Sequence, residues 1–127
     1  MLEISKNRAE EDTLFAEMRK KSPKVTGGIM RAREAAYAEG GHVPAKYKLL
    51  TALAISVAIR CEPCIKSYVK MATDRGATEE DLIAFLNVAM TMQGRPGEEW
   101  AIKAYASYKE LIAGATVVQS CCSHEAP

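Results

Sequence analysis

The sequence predicts an all-α protein of about six helices. Apolar residues recur at three- and four-residue intervals over long stretches, and no alternating β-branched run bounded by turn residues competes with them. Glycine and proline fall at intervals that leave helix-length segments between them. The chain has 127 residues, a length that suits one domain.

The first helix is expected over 7–21, carrying Ala9, Leu14, Phe15 and Met18 at helical spacing. Ser22-Pro23 supplies a cap and a proline that a first helical turn accepts, so a second helix is expected from 23 to about 38, before Gly40-Gly41. Pro44 opens a third helix through Leu49, Leu50, Leu53, Ala54, Val57 and Ala58 to Arg60. Its apolar content is nearly all-round, so it should be the buried central helix. A fourth helix is expected over about 63–75, stopping at Gly76. Thr78-Glu79-Glu80-Asp81 is a capping pattern for a fifth over about 79–92, with Leu82, Ile83, Leu86, Val88 and Ala89 as its apolar content. Gly94-Arg95-Pro96-Gly97 should break the chain before a last helix over about 98–113, closed by Gly114. Residues 1–114 are read as the helical domain and 115–127 as a flexible tail.

Seventeen basic and sixteen acidic residues are interspersed for a net charge of +1, which leaves no footprint for nucleic acid. The run Arg19-Lys20-Lys21, after Glu10-Glu11-Asp12, is a solvated helix end. The apolar-rich run from Leu49 to Ile59 is well short of the ~20 residues that span a membrane. The N-terminus is charged from its start and reads as no secretory signal, so a cytoplasmic location with reduced thiols is expected. The amphipathic helices suggest self-association.

In that setting Cys61-Glu62-Pro63-Cys64 reads as redox or metal chemistry, with inert packing as the other possibility. Pro63 disfavours helical geometry at Glu62, so the break is expected there, with Pro63 as first residue of the fourth helix. Cys64 then lies in a first turn, where unpaired N–H groups and the helix dipole favour a thiolate. A zinc site would need two more ligands, and His42 and the tail trio Cys121, Cys122 and His124 do not form a second knuckle. Neither a metal nor a cofactor is expected.

The stretch from Lys46 to Ile65, with Cys61-Glu62-Pro63-Cys64 near its end, resembles the signature region of the carboxymuconolactone decarboxylase family in its alkyl hydroperoxidase D (AhpD)-like branch. Lys70, the Gly76-Ala77-Thr78-Glu79-Glu80 helix start, Met92 and the break at 94–97 extend the resemblance over about 25–113. It implies an AhpD-like fold assembled as trimers or hexamers. It also implies that the pair reduces a peroxide, with Cys64 attacking the O–O bond, Cys61 closing the disulfide and an external dithiol or protein reductant resetting the pair. The family relay places a glutamate twelve residues before the first cysteine and a histidine four after the second; here those positions hold Leu49 and Tyr68. Leucine moves no proton, whereas Tyr68, one turn beyond Cys64, offers a hydroxyl that can donate a hydrogen bond. Tyr68 also reads as an ordinary half-buried aromatic.

His42 is expected in an exposed loop, Glu62 as a cap or solvent residue, and the methionines as core filler. Trp100, Tyr105 and Tyr108 mark the last helix as a packing or subunit face. The functional expectation is a thiol oxidoreductase acting on a small peroxide or disulfide through Cys61, Cys64 and Tyr68. A lactone decarboxylase and a non-catalytic family member with a degenerate relay are the alternatives.

Overall fold

A computed structural model describes residues 2–125, with side chains from 10 to 114. Six α-helices and, among the described residues, no strands make up the chain: α1 (Leu2–Lys21), α2 (Pro23–Tyr37), α3 (Ala45–Ala58), α4 (Glu62–Asp74), α5 (Glu79–Gln93) and α6 (Arg95–Glu125). They fall into two compact units, Met1–Ala38 and Glu39–Pro127.

In the first unit α1 and α2 pack on one another. Pro23 opens α2, and Ser22 is its N-cap by position but makes no capping hydrogen bond with its side chain. The Ser22 carbonyl instead accepts the Thr26 hydroxyl at 2.6 Å. None of the described side chains from 10 to 38 is buried; Leu14, Phe15, Met18 and Val25 are all more than half exposed.

The second unit is a four-helix arrangement around α3, which packs against α4, α5 and α6. Its core is the stripe Leu49, Leu50, Leu53 and Val57, closed by Ile65, Val69 and Ala72 of α4, Leu82, Leu86 and Ala89 of α5, and Ala101 and Ala104 of α6. Small residues on α6 let its backbone approach its neighbours, and Gly97 makes this explicit. A Cβ there would stand 2.7 Å from the Gln93 Cβ and 3.3 Å from the Ala89 carbonyl oxygen.

Sharp caps separate the helices. Gly76 (φ +92°) closes α4 in a Schellman motif: the Ala77 N–H donates to the Ala72 carbonyl and the Gly76 N–H to that of Thr73, both at 3.0 Å. The expected capping box opens α5, with the Asp81 N–H on the Thr78 hydroxyl and the Thr78 N–H on the Asp81 carboxylate, both at 3.1 Å. An ion pair between Lys46 and Asp81 at 3.7 Å brings the starts of α3 and α5 together. The two helices therefore run in the same sense, and the α5–α6 turn lies at the same end of the unit as the α3–α4 turn.

Two expectations need correction, on the last helix and on the central one. The last helix starts at Arg95, because proline and glycine cost little in a first turn whose N–H groups are unpaired anyway, and it continues past Gly114 to Glu125. The central helix is buried on one face only: Ile55 is 55% exposed, and Ile59, its C-cap residue, 66%. Of the expected apolar residues of α5, Leu82, Leu86 and Ala89 are inside, while Ile83 and Val88 face outward. No described helix is long and apolar enough to cross a membrane.

Candidate active site

Cys61 and Cys64 are bonded to one another, with Cα atoms 5.2 Å apart. The local backbone explains how. Helix α3 ends in a second Schellman motif, in which the Cys61 N–H donates to the Ser56 carbonyl at 3.0 Å and the Arg60 N–H to that of Val57 at 3.3 Å. Such a motif needs a left-handed residue, and Arg60 takes it at φ +57°, as the only described residue other than glycine with positive φ. Cys61 is extended (φ −96°, ψ 98°) and is also the N-cap of α4, its carbonyl accepting the Ile65 N–H at 2.9 Å. The chain thus breaks at Arg60 and Cys61, one residue earlier than Pro63 suggested. Glu62 is already helical and Pro63 is the second residue of α4 rather than the first.

Cys64 becomes the third residue of α4. Pro63 has no N–H, so Glu62 and Cys64 carry the remaining unpaired donors of the first turn. Cys61 is the N-cap residue, the position from which Ser or Asp side chains accept the N–H of the third residue, although its bonded sulfur makes no such cap here. Both sulfurs therefore sit where the helix dipole and free N–H groups favour a negative charge. Both residues are half-buried.

Tyr68 is half-buried one turn beyond Cys64, on the same side of α4. Leu49 is 1% exposed and belongs to the core, so the position that would hold a relay carboxylate is filled by packing. His42 and Glu62 are exposed. Trp100, Tyr105 and Tyr108 are half-buried on α6, and the Tyr105 hydroxyl donates to Glu79 at 2.8 Å. That bond, with Lys109 at 3.0 Å, lowers the Glu79 pKa. This cluster joins the start of α5 to α6, at the far end of the unit from the cysteines. The side chains of Cys121, Cys122 and His124 lie outside the described residues. Among the described residues no group of three or more His, Cys, Asp or Glu side chains is placed to hold a metal ion.

Sequence reasoning missed Arg60, which it left as the last residue of α3. The one usable signal was indirect: where a helix closes in a Schellman motif and no glycine is available, a side-chain-bearing residue takes the left-handed position.

Three comparisons bear on this geometry. An uncharacterized protein of Cupriavidus necator is 34% identical over 86 residues, covering 68% of this chain and 73% of that protein. The crystal structure of an apo carboxymuconolactone decarboxylase family protein from Legionella pneumophila superposes with a TM-score of 0.75 at 30% identity, over 80% of this chain and 90% of that one. A Thermotoga maritima crystal structure shares the fold with a TM-score of 0.66 at 23% identity, over 80% and 96% of the two chains. Residues 23–107 match the family as a whole, and the chain belongs to the carboxymuconolactone decarboxylase family.

Proposed function

We propose that the protein is a thiol-dependent oxidoreductase of the AhpD-like kind, working through Cys61 and Cys64. The observation that carries this reading is the bonded pair at the start of α4, one sulfur on the N-cap and the other on the third helical residue. A Cys64 thiolate attacks the terminal oxygen of a hydroperoxide, the O–O bond breaks, and the alcohol leaves with a proton while Cys64 becomes a sulfenic acid. The Cys61 sulfur then attacks that sulfur, water departs, and the disulfide closes. An external dithiol restores both thiols by exchange.

The proton is the difficult part. An alkoxide is a poor leaving group at neutral pH, and Leu49 supplies no acid. Tyr68 is the residue we assign to donate a hydrogen bond to the departing oxygen. A disulfide substrate makes no such demand, because thiolates with pKa near ~8.5 leave unaided. The site is therefore better suited to disulfides than to peroxides. A cytoplasmic location and a homo-oligomer, trimeric or hexameric, belong to the same proposal.

The test is to mix fully reduced protein with cumene hydroperoxide and, separately, with a small disulfide, following loss of thiols and the Cys61–Cys64 bond by mass spectrometry. One intramolecular disulfide per chain is expected from both. Cys64→Ser should slow both by about 100-fold or more, and an undiminished rate would remove the proposal. Tyr68→Phe should slow only the peroxide reaction, by about 5- to 10-fold, the worth of one hydrogen bond.

The buried Leu49 favours a second reading, a family member that keeps the fold without turnover. Thiol titration separates the two: Cys64 ionising near the ~8.5 of a free cysteine, with no thiol loss to either oxidant, identifies the non-catalytic protein.

A further inference from the structure

We infer that Arg60 is a specificity-determining residue and that the disulfide or dithiol partner of this site carries a carboxylate or comparable anion close to its sulfur. This rests on the dithiol reading above. Three observations lead to it. Arg60 stands in a left-handed position that glycine would fill without strain. It is exposed, and among the described residues its guanidinium has no carboxylate partner. It immediately precedes Cys61, with adjacent Cα atoms ~3.8 Å apart. The cation is thereby tethered to the residue next to the reactive pair, where its charge acts on whatever approaches the sulfurs.

Charge along the neighbouring chain has the same sign. From Ile59 to Met71 the cations are Arg60, Lys66 and Lys70, against the single carboxylate of Glu62. Lys70 is neutralised by Asp74 at 2.7 Å, whereas Lys66, like Arg60, has no ion pair among the described residues. An approaching anionic disulfide thus meets, next to the reactive pair, a guanidinium that makes no ion pair among the described residues and three cations against the one carboxylate of Glu62. The exchange balances without another reactant. The Cys64 thiolate attacks one sulfur of RS–SR and expels one thiolate, then the Cys61 sulfur attacks the mixed disulfide and expels the second. The two protein thiol protons pass to solvent or to the products. In the reverse direction an anionic dithiol reduces the closed pair by the same contacts.

The experiment uses the full chain carrying Cys121→Ser and Cys122→Ser, so that only Cys61 and Cys64 report. Rates with dithiobis(nitrobenzoate), a dianion, and with dithiodipyridine, a neutral aromatic disulfide, are measured by stopped flow. Their ratio cancels any change in thiolate population. Arg60→Gly, which suits the left-handed backbone, should lower the ratio by about 5-fold. Arg60→Lys should restore most of it, and raising ionic strength should erode the parent's ratio more than the glycine variant's. A ratio unmoved by Arg60→Gly overturns the inference and leaves the dithiol reading standing. If neither probe closes the Cys61–Cys64 bond in the parent, the dithiol reading itself is lost, and this inference with it.

Discussion

In the left-handed region the Cβ of an L-residue crowds the neighbouring carbonyl, at a cost of about 1–2 kcal/mol that glycine avoids. Arg60 bears that cost at φ +57° to let α3 stop and α4 start within three residues. Arg60→Gly is therefore expected to stabilise the fold by about 0.5–1 kcal/mol, after allowing for the greater freedom of glycine in the unfolded chain. Denaturant unfolding of the reduced protein should show a higher midpoint with an unchanged slope; a lower midpoint would mean that the arginine side chain makes a stabilising contact. The same residue marks what could be read in advance at this scale. Cys61 and Cys64 were legible because their spacing and a nearby proline carry a chemical meaning by themselves. Arg60 was not, because the sequence signal for a helix-closing left-handed residue is glycine, and an arginine at that place looks like an ordinary helix end.

Helix boundaries divide in the same way. The Thr78–Asp81 box was readable, since two side chains with fixed partners define it. The start of α6 was not: Arg95-Pro96-Gly97 looks like a breaker, yet the first turn of a helix tolerates all three, and Gly97 is needed where α6 meets Gln93 and Ala89. Gly97→Ala should accordingly destabilise by about 1–3 kcal/mol through overpacking, measured as a lower denaturation midpoint. Thr78→Ala should cost about 1 kcal/mol through loss of the cap. The box also makes a pH-dependent contribution. The Thr78 backbone N–H, aided by its hydroxyl and by Lys46, holds the Asp81 carboxyl below its ordinary value of 3.8. A depressed folded-state pKa stabilises above the unfolded value and ceases to do so as pH falls through the folded one. The stability difference between the parent and Asp81→Asn should therefore be full above pH 3.8 and shrink below it, and a difference that grows in acid would contradict the assignment.

For the chain as a whole, periodicity identified which residues are apolar but not what each apolar face meets. The all-round apolar character of α3 suggested complete burial within one chain. Instead Leu49, Leu50, Leu53 and Val57 fill the core, while Ile55 and Ile59 remain exposed, and Met92 on α5 is 82% exposed. Single exposed apolar residues are ordinary on a protein surface, but several large ones on helices that also form the core are what a subunit interface requires. The proposed homo-oligomer gives them that role, and closed symmetric assembly would bury equivalent faces of each copy. Light scattering coupled to gel filtration should thus return three or six times the 13.9 kDa chain mass. Ile59→Glu and Met92→Glu place a charge on positions that the core does not use, so each should keep its helical circular dichroism while shifting the assembly toward lower mass. A parent protein that runs at 13.9 kDa across the micromolar range would remove the oligomer. An unchanged higher mass in both variants would move the interface away from these residues, toward other exposed apolar positions such as Ile102 on α6, which is 64% exposed.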